Sequence, residues 1–207
     1  ASLPAKGKVV PGHRTAFFHK GDYTNTFARK METPKARAQY MWYNDEMPYT
    51  LENSIRADIA GQVLDMIYLK KIREEASAAY SVSAIGRAQL REDKTHSMML
   101  SAVCPMKPEK RQEAVSILEQ EVKDLANTCD ASMVAKIKEL MLKQADDAVK
   151  SNGYWYNVIE MYDKYGIDSH SDYKKLIEAQ TPETICSFMK EFNKNGNRLG
   201  VVMLPAE

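Results

Sequence analysis

Two residues stand out for the chemistry their types and spacing allow. Arg73 closes a long helical pattern, and Tyr80 follows seven residues later, where the pattern changes to that of a strand. A guanidinium and a phenol offer hydrogen-bond donors and little acceptor capacity, so a pair facing one space would hold carbonyl oxygens. Other candidates carry less. His13, His19, His96 and His170 are scattered, with no pair at the one-turn helical spacing that lets ligands converge on a metal, and no H-x-x-E-H run occurs. They read as surface or locally hydrogen-bonded residues. Glu74 and Glu75 are adjacent, so on a helix their carboxylates diverge by about 100° and share no proton easily. Glu74 is expected to pair with Lys70 at i, i+4. Neither a G-x-S-x-G elbow, a Walker loop nor a G-x-G-x-x-G run is found. On types and spacing alone, Arg73 reads as a helix-terminal arginine paired with an acidic neighbour and Tyr80 as a strand tyrosine buried for its area, and no catalytic group or metal ligand is expected in this chain.

The elements that must position these two side chains are legible in the periodicity. Leu51, Ile55, Ile59, Val63 and Ile67 recur every four residues, which predicts an amphipathic helix from an N-cap at Thr50 to near Arg73 and Glu75. Beyond it Tyr80, Val82 and Ala84 alternate with Ser81, Ser83 and Ile85, predicting a half-buried strand that starts at Tyr80. Strands are also expected over residues 13–20 and 25–30, joined by a turn around Gly21 and Asp22, and over 35–44, 97–103 and 198–204. Pro108 opens a helix that buries Val115, Leu118, Val122 and Leu125. Asp130 caps the next, whose inner face is expected to hold Met133, Ile137, Leu140, Met141, Gln144 and Ala148. Gly153 interrupts that helix, and a continuation through Tyr162 stops at Gly166. Two short helices, from about Ser171 and from Thr181, precede the closing strand. Tyr154, Trp155 and Tyr156 are expected to pack where helices cross, and Met98, Met99 and Met141 to fill core. This order predicts an α+β fold, a mainly antiparallel sheet with helices packed on one face.

Composition narrows the classes. A chain of 207 residues buries enough apolar surface for one core, and a single domain over 1–207 is expected, with 1–12 as a linker. The formal net charge of +1 and the spread of Lys and Arg favour neither nucleic acid nor an anionic membrane as partner. No apolar run is long enough to span a bilayer. Cys104, Cys129 and Cys186 lack C-x-x-C spacing and read as buried thiols, with a disulfide left open.

The run Ile72-Arg73-Glu74-Glu75 followed by Ala79-Tyr80-Ser81-Val82 resembles a signature of non-catalytic domains in the pitrilysin and insulin-degrading-enzyme family of inverted zinc proteases. Met31-Glu32-Thr33-Pro34-Lys35-Ala36 before a strand, Tyr49-Thr50-Leu51-Glu52-Asn53 at a helix start, and Thr181-Pro182-Glu183-Thr184 before the last helix are similar to the family's C-terminal domain. The resemblance covers nearly the whole chain. It implies a substrate-binding, chamber-forming domain of a zinc metalloendopeptidase, with Arg73 and Tyr80 contacting the peptide backbone. Zinc, its ligands and the general base would come from a partner domain of the same chain or from another subunit. It also implies a second reading, a non-enzymatic structural or binding subunit of the mitochondrial-processing-peptidase type. An exported, periplasmic setting follows if a signal peptide precedes residue 1 in a bacterial enzyme.

Overall fold

The computed structural model describes residues 19–206. The expected linker at 1–12, His13 and most of the strand expected at 13–20 lie outside the described residues. Five strands form one sheet in the order β1-β5-β2-β4-β3, from β1 (Asp22–Arg29), β2 (Ala36–Asn44), β3 (Ser83–Leu90), β4 (His96–Met106) and β5 (Asn197–Pro205). Three of the four strand pairs are antiparallel; β1 runs parallel to β5. The helices are α1 (Leu51–Tyr68), α2 (Arg111–Asp124), α3 (Ala131–Ala148), α4 (Asn152–Tyr165), α5 (Tyr173–Glu178) and α6 (Pro182–Phe192). This is the α+β build predicted from the pattern of elements.

Alternation separates the two faces of the sheet. Gly200, Tyr40, Ala102 and Ala84 lie in one row across β5, β2, β4 and β3, and all are buried under the helices. The neighbouring row, Tyr23, Leu199, Met41, Ser101 and Ile85, lies on the opposite face, where Tyr23 and Ile85 are exposed. One face therefore packs on the core, and the other is a wide, mixed apolar and polar surface.

Helix α1 organises the core. Thr50 caps it by accepting from the Asn53 backbone N–H at 3.0 Å. Its buried residues include Ile55, Ile59 and Val63 of the expected stripe, and also Ala57, Ala60, Gly61, Leu64 and Tyr68, so it is enclosed on more than one side. Gly61 allows this. A Cβ there would lie 1.9 Å from the Gly86 nitrogen, and a Cβ on Gly86 would lie 1.7 Å from the Ala57 oxygen. Helix backbone rests directly on strand backbone at this crossing. The Asp65 carboxylate adds a polar tie, accepting from the Ala84 N–H at 2.8 Å.

Four local expectations are corrected. Asp22 is the first residue of β1 rather than part of a turn, because the ladder already engages Gly21: its carbonyl accepts from the Arg198 N–H, and its N–H donates to Asn197 Oδ1. The helix expected to run to Glu75 does so, but its last seven residues, Leu69–Glu75, are a π-helix. Lys70 and Glu74 form no ion pair there; Lys71 pairs instead with Glu121 of α2. In α3 the buried stripe is Val134, Ile137, Met141 and Ala145, while Leu140 is exposed. In this rotation Lys138 donates to the Glu178 and Gln180 carbonyls at 2.7 and 2.6 Å. Finally, Gly153 does not mark the break between α3 and α4, which falls just before Asn152; Gly153 sits inside the first turn of α4.

Candidate functional site

The corner between the π-helix and β3 carries both expected site residues, and its backbone is fixed by several independent bonds. The Ala76 N–H donates to the Lys71 carbonyl five residues back, at 3.0 Å, and the Ala78 N–H to the Ile72 carbonyl six residues back, at 2.9 Å. Ser77 between them takes φ +49°, the left-handed conformation that ends many helices and that non-glycine residues adopt rarely. The Ala78 carbonyl then accepts from the Lys107 N–H at 3.0 Å, joining the corner to the chain just past β4. Ile72 and Ala78 are fully buried and Ala79 nearly so. The corner is anchored by its apolar residues and turns its polar ones outward.

Arg73 is exposed on the π-helix and makes no hydrogen bond or ion pair among the described residues. Tyr80 is 86% exposed, and its hydroxyl likewise has no partner among them. Tyr80 was expected to open a half-buried strand. The ladder begins only at Ser83, and of that expected buried face Val82 and Ala84 are inside while Tyr80 is not. A bulky phenol held almost wholly in solvent adds nothing to the core. The two donors occupy one corner, and no group among the described residues engages either.

Tyr80 also forms one wall of a groove of about 440 Å³, whose other walls include Thr33, Pro34, Lys35, Pro105, Met106 and Pro108. Arg73 is not among its lining residues. Local sequence patterns carry no sign of this groove, because its walls come from stretches some 25 to 45 residues apart that meet through the pairing of β2 with β4, where Ala36 faces Met106, and through the Lys107-to-Ala78 bond.

The remaining candidates fall away on geometry. Among the described residues no three His, Cys, Asp or Glu side chains come together as a metal site. His19 lies beside Tyr23, His96 opens β4, and His170 sits with Nδ1 2.7 Å from the Tyr154 hydroxyl and its ring 4.8 Å from that of Trp155. The residues present do not fit the zinc that the resemblance implies for a partner domain. Of the aromatic trio on α4, Tyr154 bonds His170 and the Trp155 indole donates to the Val149 carbonyl at 2.8 Å, but Tyr156 is 66% exposed. Crossing helices do not bury it, as had been expected, because α4 has no fully buried residue. Among the described residues, no helix is long and apolar enough to cross a membrane.

A family model described as the peptidase M16 inactive domain matches residues 2–141, more than half of the chain. No curated protein matches it by sequence. Among solved structures, the periplasmic protease PqqL from Escherichia coli superposes with a TM-score of 0.71 at 22% identity, over 91% of this chain and 21% of that one. The ferredoxin protease FusC, solved as a mutant with Arabidopsis ferredoxin, gives 0.70 at 19% identity over 91% and 21%. The peptidase M16 inactive domain from Pseudomonas fluorescens gives 0.65 at 11% identity over 89% and 44%. At these identities the likeness is one of fold, and this chain spans about a fifth of the first two proteins. Order of elements, sheet topology and the match over residues 2–141 agree: the chain belongs to the M16 peptidase family, as one of its inactive domains.

Proposed function

We propose that this domain is the substrate-binding, chamber-forming wall of a zinc-dependent metalloendopeptidase, in which Arg73 and Tyr80 donate hydrogen bonds to the backbone of a bound peptide. The observation that carries this reading is the state of the two donors. Both are exposed and unengaged among the described residues, on a backbone corner fixed by bonds to Lys71, Ile72 and Lys107. A stabilising role within the fold would give them partners, and neither has one among the described residues.

The chemistry follows from donor geometry. Hydrolysis of a peptide places negative charge on the scissile carbonyl oxygen, and donors already in position stabilise that charge without reorganising. Once a partner domain closes over the site and excludes water, a guanidinium and a phenol count for far more than in bulk solvent. Zinc, when bound in the partner domain, supplies the activated water. The present chain contributes binding and orientation. The uncovered face of the sheet, with Tyr23, Met41, Val201 and Ile85, suits the inner wall of a chamber that holds extended peptides by mixed apolar and polar contacts. A periplasmic setting is consistent with this role, since one protein of the same fold is a periplasmic protease.

Tyr80→Phe in the zinc-bearing enzyme is the direct test, because it keeps the ring and removes only the hydroxyl. If that hydroxyl meets the developing oxyanion, kcat should fall by roughly 10²-fold while the unfolding midpoint stays put. Arg73→Ala should likewise lower kcat/KM with little change in stability. A Tyr80→Phe enzyme with wild-type kcat and kcat/KM on several peptides would remove Tyr80 from the site.

A further inference from the structure

We infer that the groove beside Tyr80 is a specificity pocket that seats an apolar side chain of the bound peptide and favours an acidic residue next to it; this rests on the proposal that Tyr80 contacts substrate.

Two stretches that the sequence analysis singled out separately meet here. Thr33, Pro34 and Lys35 come from the segment ahead of β2, and Tyr80 comes from the corner ahead of β3; Pro105, Met106, Lys107 and Pro108 close the groove from the end of β4. Three proline rings, a methionine and the tyrosine ring form its apolar lining. Proline has almost no side-chain entropy to lose when a ligand docks. Ala36 and Met106 are buried beneath, and the Ala36–Met106 register and the Lys107-to-Ala78 bond fix the walls relative to one another. The groove therefore exists without a ligand, which lowers the cost of filling it. About 440 Å³ is ample for a leucine or phenylalanine side chain and a turn of peptide backbone.

Charge supplies the second half of the inference. Lys35 and Lys107 both line the groove, and neither forms an ion pair among the described residues. Glu109 is the one acidic side chain in the lining, so the groove holds a net positive charge. An apolar residue seated against Tyr80 and Pro34 would bring the flanking residue of an extended peptide within reach of these ammonium groups. A carboxylate there gains attraction, and a lysine or arginine meets repulsion.

The test profiles the zinc-bearing enzyme with a fluorogenic peptide library in which each position around the cleaved bond is acidic, neutral or basic. Wild type, Lys35→Glu/Lys107→Glu and Tyr80→Phe are compared. The doubly reversed variant should shift the acidic-to-basic ratio of kcat/KM at one position by about tenfold. An unchanged profile alongside a slowed Tyr80→Phe enzyme overturns the pocket while leaving Tyr80 in the site. An unchanged profile with a normal Tyr80→Phe enzyme overturns both. A charge preference that persists after reversal but tracks overall peptide charge at every position would assign it to general steering, and also overturns the pocket.

Discussion

At one edge of the sheet, β3 has Gly86 pressed against the backbone of α1, with the Arg73 and Tyr80 corner just ahead of it; at the other edge, β1 is exposed along all eight of its residues. The first edge is held by close backbone contact, by the Asp65 carboxylate on the Ala84 N–H, and by the bonded corner. The second is held by its parallel ladder to β5 and by Arg198, which pairs with Asp22 on β1 and Glu119 on α2 while lying over the Tyr40 ring. The role proposed for Arg73 and Tyr80 requires rigidity at the edge that carries them. It can leave the other edge loosely tied.

The largest effect should come from Gly86→Ala. The added methyl has nowhere to go except into the Ala57 carbonyl, so helix and strand must separate, at a cost of about 3 kcal/mol or more. Chemical denaturation should show a large drop in midpoint; an unchanged midpoint would mean that the two backbones are not in contact. A middling effect is expected from Arg198→Ala, which removes partly exposed ion pairs and should cost about 1 kcal/mol. Hydrogen exchange should speed up in β1 and hardly at all in β3. Equal loss of protection at both edges would erase the contrast.

The smallest effect concerns a reporter of the protected half. Burial pushes the Cys104 thiol in β4 up to about 11, and it raises Cys186 as well, though that residue is only part-buried. Only the thiolate is alkylated, and a raised pKa keeps the thiol protonated until the pH approaches that value. At pH 8.5 iodoacetamide should label Cys186 first and leave Cys104 unmodified for as long as the fold holds, as read by mass spectrometry. Early labelling of Cys104 would show that the β3 and β4 side opens as readily as β1.

How far these regions could be read from sequence follows the range of the interactions that set them. The Thr50 and Asp130 caps, the stop at Gly166 and the α1 stripe rest on neighbours within a turn or two, and each is where the pattern put it. The observed rotation of α3 brings Lys138 to carbonyls about 40 residues away. The early start of β1 depends on Asn197 and Arg198, at the far end of the chain. Neither long-range tie leaves a mark in a local window. At the site, the residue types at Arg73 and Tyr80 were legible; their freedom from partners and the proline-lined groove beside Tyr80 were not, because both are properties of packing.

The π-helix has one more consequence, concerning what the chain tolerates as it varies in length. A π turn takes up residues that an α turn of equal rise does not need, so the segment Leu69–Glu75 behaves as an accommodated insertion. Deleting one residue there would let the segment close to ordinary α-helical geometry, with core packing undamaged through Tyr68 and the residues beyond kept near their present direction. A deletion in α1 itself, where no surplus residue is stored, would turn everything beyond it by about 100°. The π segment is thus a place where this helix can lose a residue and still leave the corner with Arg73 and Tyr80 close to its present orientation.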